Sequence, residues 1–544
     1  MKVYQVLADA LVVHGVDTVF GLLGDANMFL VSDLVDRHGV RFVAARNENA
    51  AVMMADGYAR ATGRCAVATV TQGPGLAVAG AALTIARQAR TPLVLVAGDT
   101  PPGDPGHVQN FPQQPFALAT AGHMVPVVDA AGAVRDVAAA FRLACSTSGP
   151  VVLNVPMDLQ DEDVADDVPP PVAVAEPRPP APLVPHPNDV AMLAQRLRSA
   201  QRPVVLAGRG AQGAEAAVRE LADRSGAVLA TTLMGAGLFA DHPYCLGVAG
   251  GLARPLTRRV LGEADLVLAF GAGLNRWTAD HGRLFARAEV VCVDTDGAAL
   301  GARWPVDAGV VGDAAAVAAA VAAAVSAALP PVQRPRWRSA ELAREVAAAD
   351  PFAGLVPLRA ADRIDPRAFL RVCARRLPAR RTTVVGVGHF GGWPNLLLDS
   401  PAVDRALIAP WDFGSIGVGL PFAVGAAVGR PDRPVVAFEG DGSLLTGLGE
   451  LDTLARTGAA VLLIVLDDAA YGAEVRKLRP RGVDPSLARF PERDLAAVAR
   501  ALGVPAWTVT DEAGADAAFD AVLPVTGPAL LHVRVHPGAV QEHF

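Results

Sequence analysis

Two apolar runs near the C-terminal end of this 544-residue chain finish in acids, and acids at strand ends can hold a metal. Pro434-Val435-Val436-Ala437-Phe438 has the composition of a buried strand, and Glu439-Gly440-Asp441-Gly442-Ser443 follows it. The residues after it, Leu444 to Arg456, carry a helical pattern. Gly440 and Gly442 let backbone approach a phosphate, and the start of a helix offers free N–H groups and a favourable dipole. Asp441 can supply a hard oxygen to a cation that bridges two phosphates. The second run, Val461 to Leu466, ends in Asp467-Asp468-Ala469-Ala470-Tyr471-Gly472, with Asp468 27 residues beyond Asp441. Parallel strands joined by a helix place both acids on one sheet edge, where they can share an ion. The plainer alternatives are a turn at Gly-Asp-Gly and a helix cap at Asp467-Asp468.

Four other segments have the residue types for a cofactor pocket. Arg46-Asn47-Glu48-Asn49 opens a small-residue helix running to Arg60, so Glu48 is either a dipole-stabilised acid or a proton-handling group. Thr71-Gln72-Gly73-Pro74-Gly75 follows a strand and makes a low-bulk turn that a flat ring can approach. Phe413-Gly414-Ser415-Ile416-Gly417-Val418-Gly419 is a glycine-rich turn with one bulky aliphatic residue. Gly386-Val387-Gly388-His389 follows the strand at Val384-Val385, and His389 is either a ligand contact or a satisfied loop histidine.

Together these segments resemble the signature of thiamine-diphosphate enzymes, in the acetolactate synthase and pyruvate decarboxylase branch, and the resemblance spans nearly the whole chain. It implies Mg²⁺ held by Asp441, Asp468 and the Ala470 carbonyl, with diphosphate contacts from Gly440, Gly442 and Ser443 and a neighbouring Tyr471. It implies Glu48 as activator of the aminopyrimidine ring, Gly73-Pro74-Gly75 beside that ring, the Gly414 carbonyl as acceptor for the exocyclic amine, Ser415 beside it, and Ile416 as the wedge that bends the cofactor. His389 is placed by the same resemblance near the diphosphate or the substrate. Three departures stand out: Asp468 where the family has Asn, Asn47 where it often has His, and Ala473-Glu474-Val475-Arg476-Lys477 where synthases carry a Trp-containing segment. Gly106-His107-Val108-Gln109 is similar in placement to a substrate-side segment, making Gln109 a candidate polar contact and His107 a candidate proton donor. Arg476 or Lys477 can meet a substrate carboxylate.

The implied reaction is decarboxylation of a small 2-oxo acid, with or without carboligation onto a second carbonyl. A benzoylformate-type decarboxylase or 2-hydroxyacyl-CoA lyase using an acyl donor is the alternative, and a non-catalytic cofactor-binding homologue is the rival from another class. The resemblance also implies a homodimer or homotetramer, with Glu48 of one copy meeting the Gly440 to Ala470 segment of another.

These segments need rigid elements behind them. Proline-rich stretches at Val168–Pro187 and Leu329–Pro335 divide the chain into blocks 1–167, 188–328 and 338–544. Each alternates short β-rich runs with longer helical patterns, which predicts α/β domains of mainly parallel sheet flanked by helices: pyrimidine-binding, central and diphosphate-binding. The outer blocks share a rhythm that suggests a duplicated architecture. The middle block carries Ala207-Gly208-Arg209-Gly210, Thr231-Thr232-Leu233-Met234-Gly235 and Gly271-Ala272-Gly273, which leave FAD, an ADP-containing ligand or no ligand open, since one glycine-rich turn is weak evidence. A composition 52% hydrophobic and 19% charged, with net charge −7, argues for a globular protein without a nucleic-acid partner. No apolar run reaches the roughly 18 residues of a membrane span; Ala314 to Ala328 reads as an ordinary helix. Five scattered cysteines without a C-x-x-C pair, and no signal peptide, point to the reducing cytoplasm.

Overall fold

A computed structural model describes residues 1–164, 182–327, 337–401 and 404–539. The predicted connectors fall largely outside them, at 168–181 of the first stretch and at all of 329–335. Three six-stranded sheets, each wholly parallel, follow one another along the chain and are flanked by helices. Their strands lie within residues 18–156, 203–311 and 382–534. With strands numbered in chain order within each sheet, the first and third sheets both read 2-1-3-4-6-5. The middle sheet reads 3-2-1-4-5-6. The shared rhythm of the outer blocks is therefore a shared topology. In all three, the strand order reverses beside strand 1, and a crevice opens there at the carboxyl ends of the strands.

The strands predicted from apolar runs form where expected. Ala66–Val70, Leu93–Asp99, Pro203–Ala207, Leu266–Phe270, Val435–Gly440 and Val461–Asp467 are almost continuously buried, as strands covered on both faces must be. The Ala/Val run is the amphipathic-by-packing helix Ala314–Ala327, whose Val317, Val321 and Val325 are buried in the middle core. One element differs: the pattern from Leu444 to Arg456 is two helices, Asp441–Thr446 and Glu450–Thr457. Gly447-Leu448-Gly449 separates them, because two glycines within three residues forfeit helix stability. Among the described residues, no helix is long and apolar enough to cross a membrane.

The outer sheets are tied together within one chain by two crossing helices, Glu48–Thr62 and Gly419–Gly429. The crossing is close because glycines stand at the contact. A Cβ on Gly57 would lie 2.1 Å from the Phe422 carbonyl oxygen, and one on Gly425 would lie 1.8 Å from that of Met54. Next to this contact the Arg46 amide donates to Glu450 Oε1 at 3.0 Å, and the Arg46 guanidinium pairs with Asp452 at 2.6 Å.

Candidate active site

In the third sheet the reversal lies between strands Thr382–Val385 and Val435–Gly440. A cavity of 410 Å³ opens there. It is lined by His389, Gly414, Ile416, Gly440, Asp441, Gly442, Ser443, Asp468, Ala470 and Tyr471, so most of the residues singled out in the third block meet in one place. The pairing Gly440↔Leu466 explains how: strand 435–440 lies beside strand 461–467 in parallel, and both end at the same level. Of the three residues Gly414, Ser415 and Ile416, only Ser415 does not line the cavity.

The floor is acidic. Asp441 is 4% exposed, and its Oδ2 has no hydrogen-bond partner. Burial, with the charges of Asp467 and Asp468 behind it, pushes its carboxyl up to about 9. Burial also works against the Asp467 charge, but bonds to His532, Asp441 and the Ala469 amide outweigh it and hold Asp467 below the usual range. His532 Nε2 sits 2.6 Å from Asp467 Oδ2 at a buried site. Asp468 is met by His389 Nε2 at 3.4 Å. Ala469 adopts a left-handed conformation (φ +54°) that turns the chain after the strand.

The rim is built by glycines and aromatic rings. Ser443 Oγ accepts from the Gly417 amide at 2.8 Å and so ties the 414–417 loop to the diphosphate-side helix start. Trp411 Nε1 donates to the carbonyls of Val385 and Gly386 at 2.9 Å and fixes the loop before His389. A Cβ on Gly442 would lie 2.8 Å from the Tyr471 ring, and one on Gly440 would lie 2.8 Å from Phe390. Tyr471 packs edge-on against Phe490. Beneath them lies Glu439, 1% exposed, with neither carboxylate oxygen in a hydrogen bond. Burial pushes it up to about 7, against the partial pull of the Ser443 hydroxyl and the amides of Gly440, Gly419 and Leu420.

The first block's candidates gather at the equivalent edge of the first sheet. Gly73 has φ +58°, and its amide donates to Gln113 Oε1 at 2.8 Å. Gln72 Nε2 donates to Gln109 Oε1 at 2.7 Å, and His107 Nδ1 accepts from the Gln109 amide at 3.2 Å. Gln113 also donates to Asn154, which donates to Asp99. Pro74 and Gly75 open the short helix Pro74–Val78, on which helix Glu48–Thr62 packs. Glu48 begins that longer helix behind the Asn47 cap and is half-buried. Neither Glu48, Gly73–Gly75, His107 nor Gln109 lines the 410 Å³ cavity.

Sequence reasoning passed over several residues. Trp277, from the middle block, lines the cavity, as does His536; Lys477, singled out above for a substrate carboxylate, lines it too. No local signal in the sequence brings a middle-block loop to the third sheet. Glu439 and the Asp467–His532 pair had one available signal, a polar residue inside an apolar strand. The glycines of the middle block have a structural explanation without any ligand: the Gly210 amide donates to the Gly271 carbonyl at 2.9 Å, and a Cβ on Gly208 would lie 2.4 Å from the same oxygen.

Comparison with known proteins agrees with this geometry. Family models match residues 1–121 as the thiamine pyrophosphate enzyme N-terminal TPP binding domain, 190–321 as the central domain, and 386–533 as the C-terminal TPP binding domain. The chain belongs to the thiamine pyrophosphate enzyme family. Within it, the chain is similar to the acetolactate synthase isozyme 2 large subunit of Escherichia coli (strain K12), 30% identical over 98% of this chain and 95% of that protein. It is 31% identical to the acetolactate synthase large subunit of Parasynechococcus marenigrum (strain WH8102), over 98% of this chain and 87% of that protein. A sulfoacetaldehyde acetyltransferase of Alcaligenes xylosoxydans xylosoxydans is 27% identical, over 86% of this chain and 81% of that protein. The chain is thus a thiamine-diphosphate-dependent enzyme of the acetolactate synthase-like branch.

Proposed function

We propose that this enzyme decarboxylates a small 2-oxo acid and transfers the remaining fragment to a second carbonyl, using Mg²⁺ and an active site completed by a second copy of the chain. The observation that carries the reading is the acidic floor at the reversal point of the third sheet. Asp441, Asp468 and Ala470 line one cavity, and Asp441 keeps an orphaned buried oxygen. That arrangement fits a hard cation, because a cation relieves the mutual repulsion that holds Asp441 protonated. Asp441, Asp468 and the Ala470 carbonyl would hold the metal, while Gly440, Gly442 and Ser443 would hold the diphosphate. Bound thiamine diphosphate supplies the nucleophilic carbon and the electron sink.

The chain's own residues do the rest. Ile416 would support the bent shape of the cofactor, and the Gly414 carbonyl would accept from its exocyclic amine. Glu48 would hold and exchange a proton with the pyrimidine ring nitrogen. Lys477 lines the cavity and is the candidate for the substrate carboxylate; Arg476 donates instead to the Ala539 carbonyl at 3.0 Å. Glu48 is absent from the cavity that holds Asp441, which supports assembly of the site from two copies. Phe413 (52% exposed) and Ile416 (39% exposed) leave apolar surface beside the cavity for such a partner.

Two experiments test this. Glu48→Gln should retain cofactor binding by calorimetry while turnover falls by about 10²-fold or more; unchanged turnover overturns the assignment. Mixing inactive Glu48→Gln with inactive Asp441→Ala subunits should restore activity, because one of the two shared sites in a mixed dimer is then intact. No recovery after subunit exchange overturns the two-copy site.

A further inference from the structure

All three blocks meet at a separate cavity of 180 Å³, none of whose lining residues belongs to the site above. Its walls carry Arg60, Arg90, Thr91, Arg209, Gln212 and Arg405. Arg60 and Arg90 are neutralised. Arg60, 8% exposed, binds Asp56 at 2.7 Å and Asp412 at 2.8 Å, and Arg90 pairs with Asp296. The Arg209 guanidinium makes no hydrogen bond or ion pair among the described residues. Burial pulls it below the usual range, and the like charges of Arg60 and Arg90 add to the effect against the partial pull of Asp412 and Asp56. Arg405 donates to the Arg60 carbonyl at 2.9 Å and has no carboxylate partner among the described residues. Its backbone is left-handed (φ +51°), and a Cβ on the facing Gly63 would lie 2.6 Å from its Nη2. Thr91 is 3% exposed, and its hydroxyl has no hydrogen-bond partner.

Four guanidiniums thus face three carboxylates, and the carboxylates belong to Arg60 and Arg90. Arg209 and Arg405 come from different blocks and carry the surplus. Guanidiniums bind oxyanions through two parallel N–H bonds, and a partly buried unpaired one is costly. The surplus is one positive charge, and two guanidiniums without a carboxylate of their own, together with the spare hydroxyl, offer the several donors that a tetrahedral oxyanion accepts.

We infer that this cavity binds a phosphate group, free or as the phosphoryl group of a small metabolite, and that the bound anion fastens the three blocks to one another. Linkage requires such a ligand to stabilise the folded chain.

The test uses full-length holoenzyme with saturating thiamine diphosphate and Mg²⁺, so that the diphosphate site is filled. Inorganic phosphate and, separately, ADP are titrated while thermal unfolding is followed, with KCl at matched ionic strength as reference. A saturable rise in Tm above the KCl reference is expected with phosphate. Arg209→Met keeps the side-chain stem and should weaken phosphate binding by about tenfold or more. Thr91→Val should weaken it less, and the exposed Arg375→Gln should leave it unchanged. Should Arg209→Met fail to fold, Gln212→Glu places a carboxylate in the same wall and should abolish the effect. Competition by ADP at lower concentration assigns the phosphoryl group to a nucleotide, and protection by phosphate alone assigns it to the free ion. Protection by neither probe overturns the inference, as does an equal rise in Arg209→Met.

Discussion

The first and third sheets have the same strand order, yet their carboxyl edges are chemically opposite. The edge of the first is lined with amides: Gln72 donates to Gln109, and separately Gln113 donates to Asn154, which donates to Asp99. The edge of the third is lined with carboxyls: Glu439, Asp441, Asp467 and Asp468. Amides present donors and acceptors without charge, which suits a flat neutral heteroaromatic ring. Clustered carboxyls in a buried place raise one another's proton affinity until a cation takes the proton's place. One topology therefore supplies two kinds of half-site, and the position of the reversal point, not the residue types, is what the halves share. The glycine-mediated crossing of helices 48–62 and 419–429 holds the two sheets in fixed relation.

The largest effect should come from removing the charge that most separates the two edges. Asp441→Ala should weaken Mg²⁺-dependent cofactor binding by about 100-fold or more, read by calorimetry; retained affinity would mean that the third sheet's acids are structural. Glu439 gives the next test, in the apo protein. Its carboxyl is raised from 4.5 to about 7 in the folded state, so the folded state binds the extra proton. Stability from this group is fully present below pH 4.5 and is lost as pH rises through 7. The loss should reach roughly 3 kcal/mol, and Glu439→Gln should flatten that slope in urea unfolding between these pH values. A slope that survives the substitution assigns it to another group.

Disturbing the tie between the sheets should cost somewhat less. Gly57→Ala inserts a Cβ at the Phe422 carbonyl and should destabilise by about 1–3 kcal/mol, with both outer domains unfolding at lower denaturant. Breaking the Gln113 bonds comes next: Gln113→Leu leaves the Gly73 amide and Asn154 short of partners and should cost about 1–2 kcal/mol. Smallest of all, Asp468→Asn exchanges one metal-side oxygen for another and removes one negative charge. Mg²⁺ affinity should move by less than about tenfold; a larger loss would show that the second carboxylate is required.

Much of the C-terminal half-site was legible because each part is local. Strand, glycine turn and acid follow one another within ten residues at Pro434–Ser443, and strand pairing then brings Asp468 alongside. The break at Gly447–Gly449 was less visible, since the apolar pattern continues across it while the backbone does not. Glu48 was legible as the start of a helix; its half-exposed state depends on what else covers it.

The sequence by itself determined the class of fold, the order of the three blocks, and the segments able to hold a phosphate and a cation, because periodicity and turn chemistry act over a few residues. Only the tertiary structure decided which of these segments share a cavity. It placed Asp441, Asp468 and Ala470 together, left Glu48 outside, brought Trp277 in from the middle block, and gathered Arg60, Arg90, Arg209 and Arg405 around one void. The reason is physical: strand order and helix crossing bring together residues hundreds of positions apart, and burial sets the protonation of the groups that meet there.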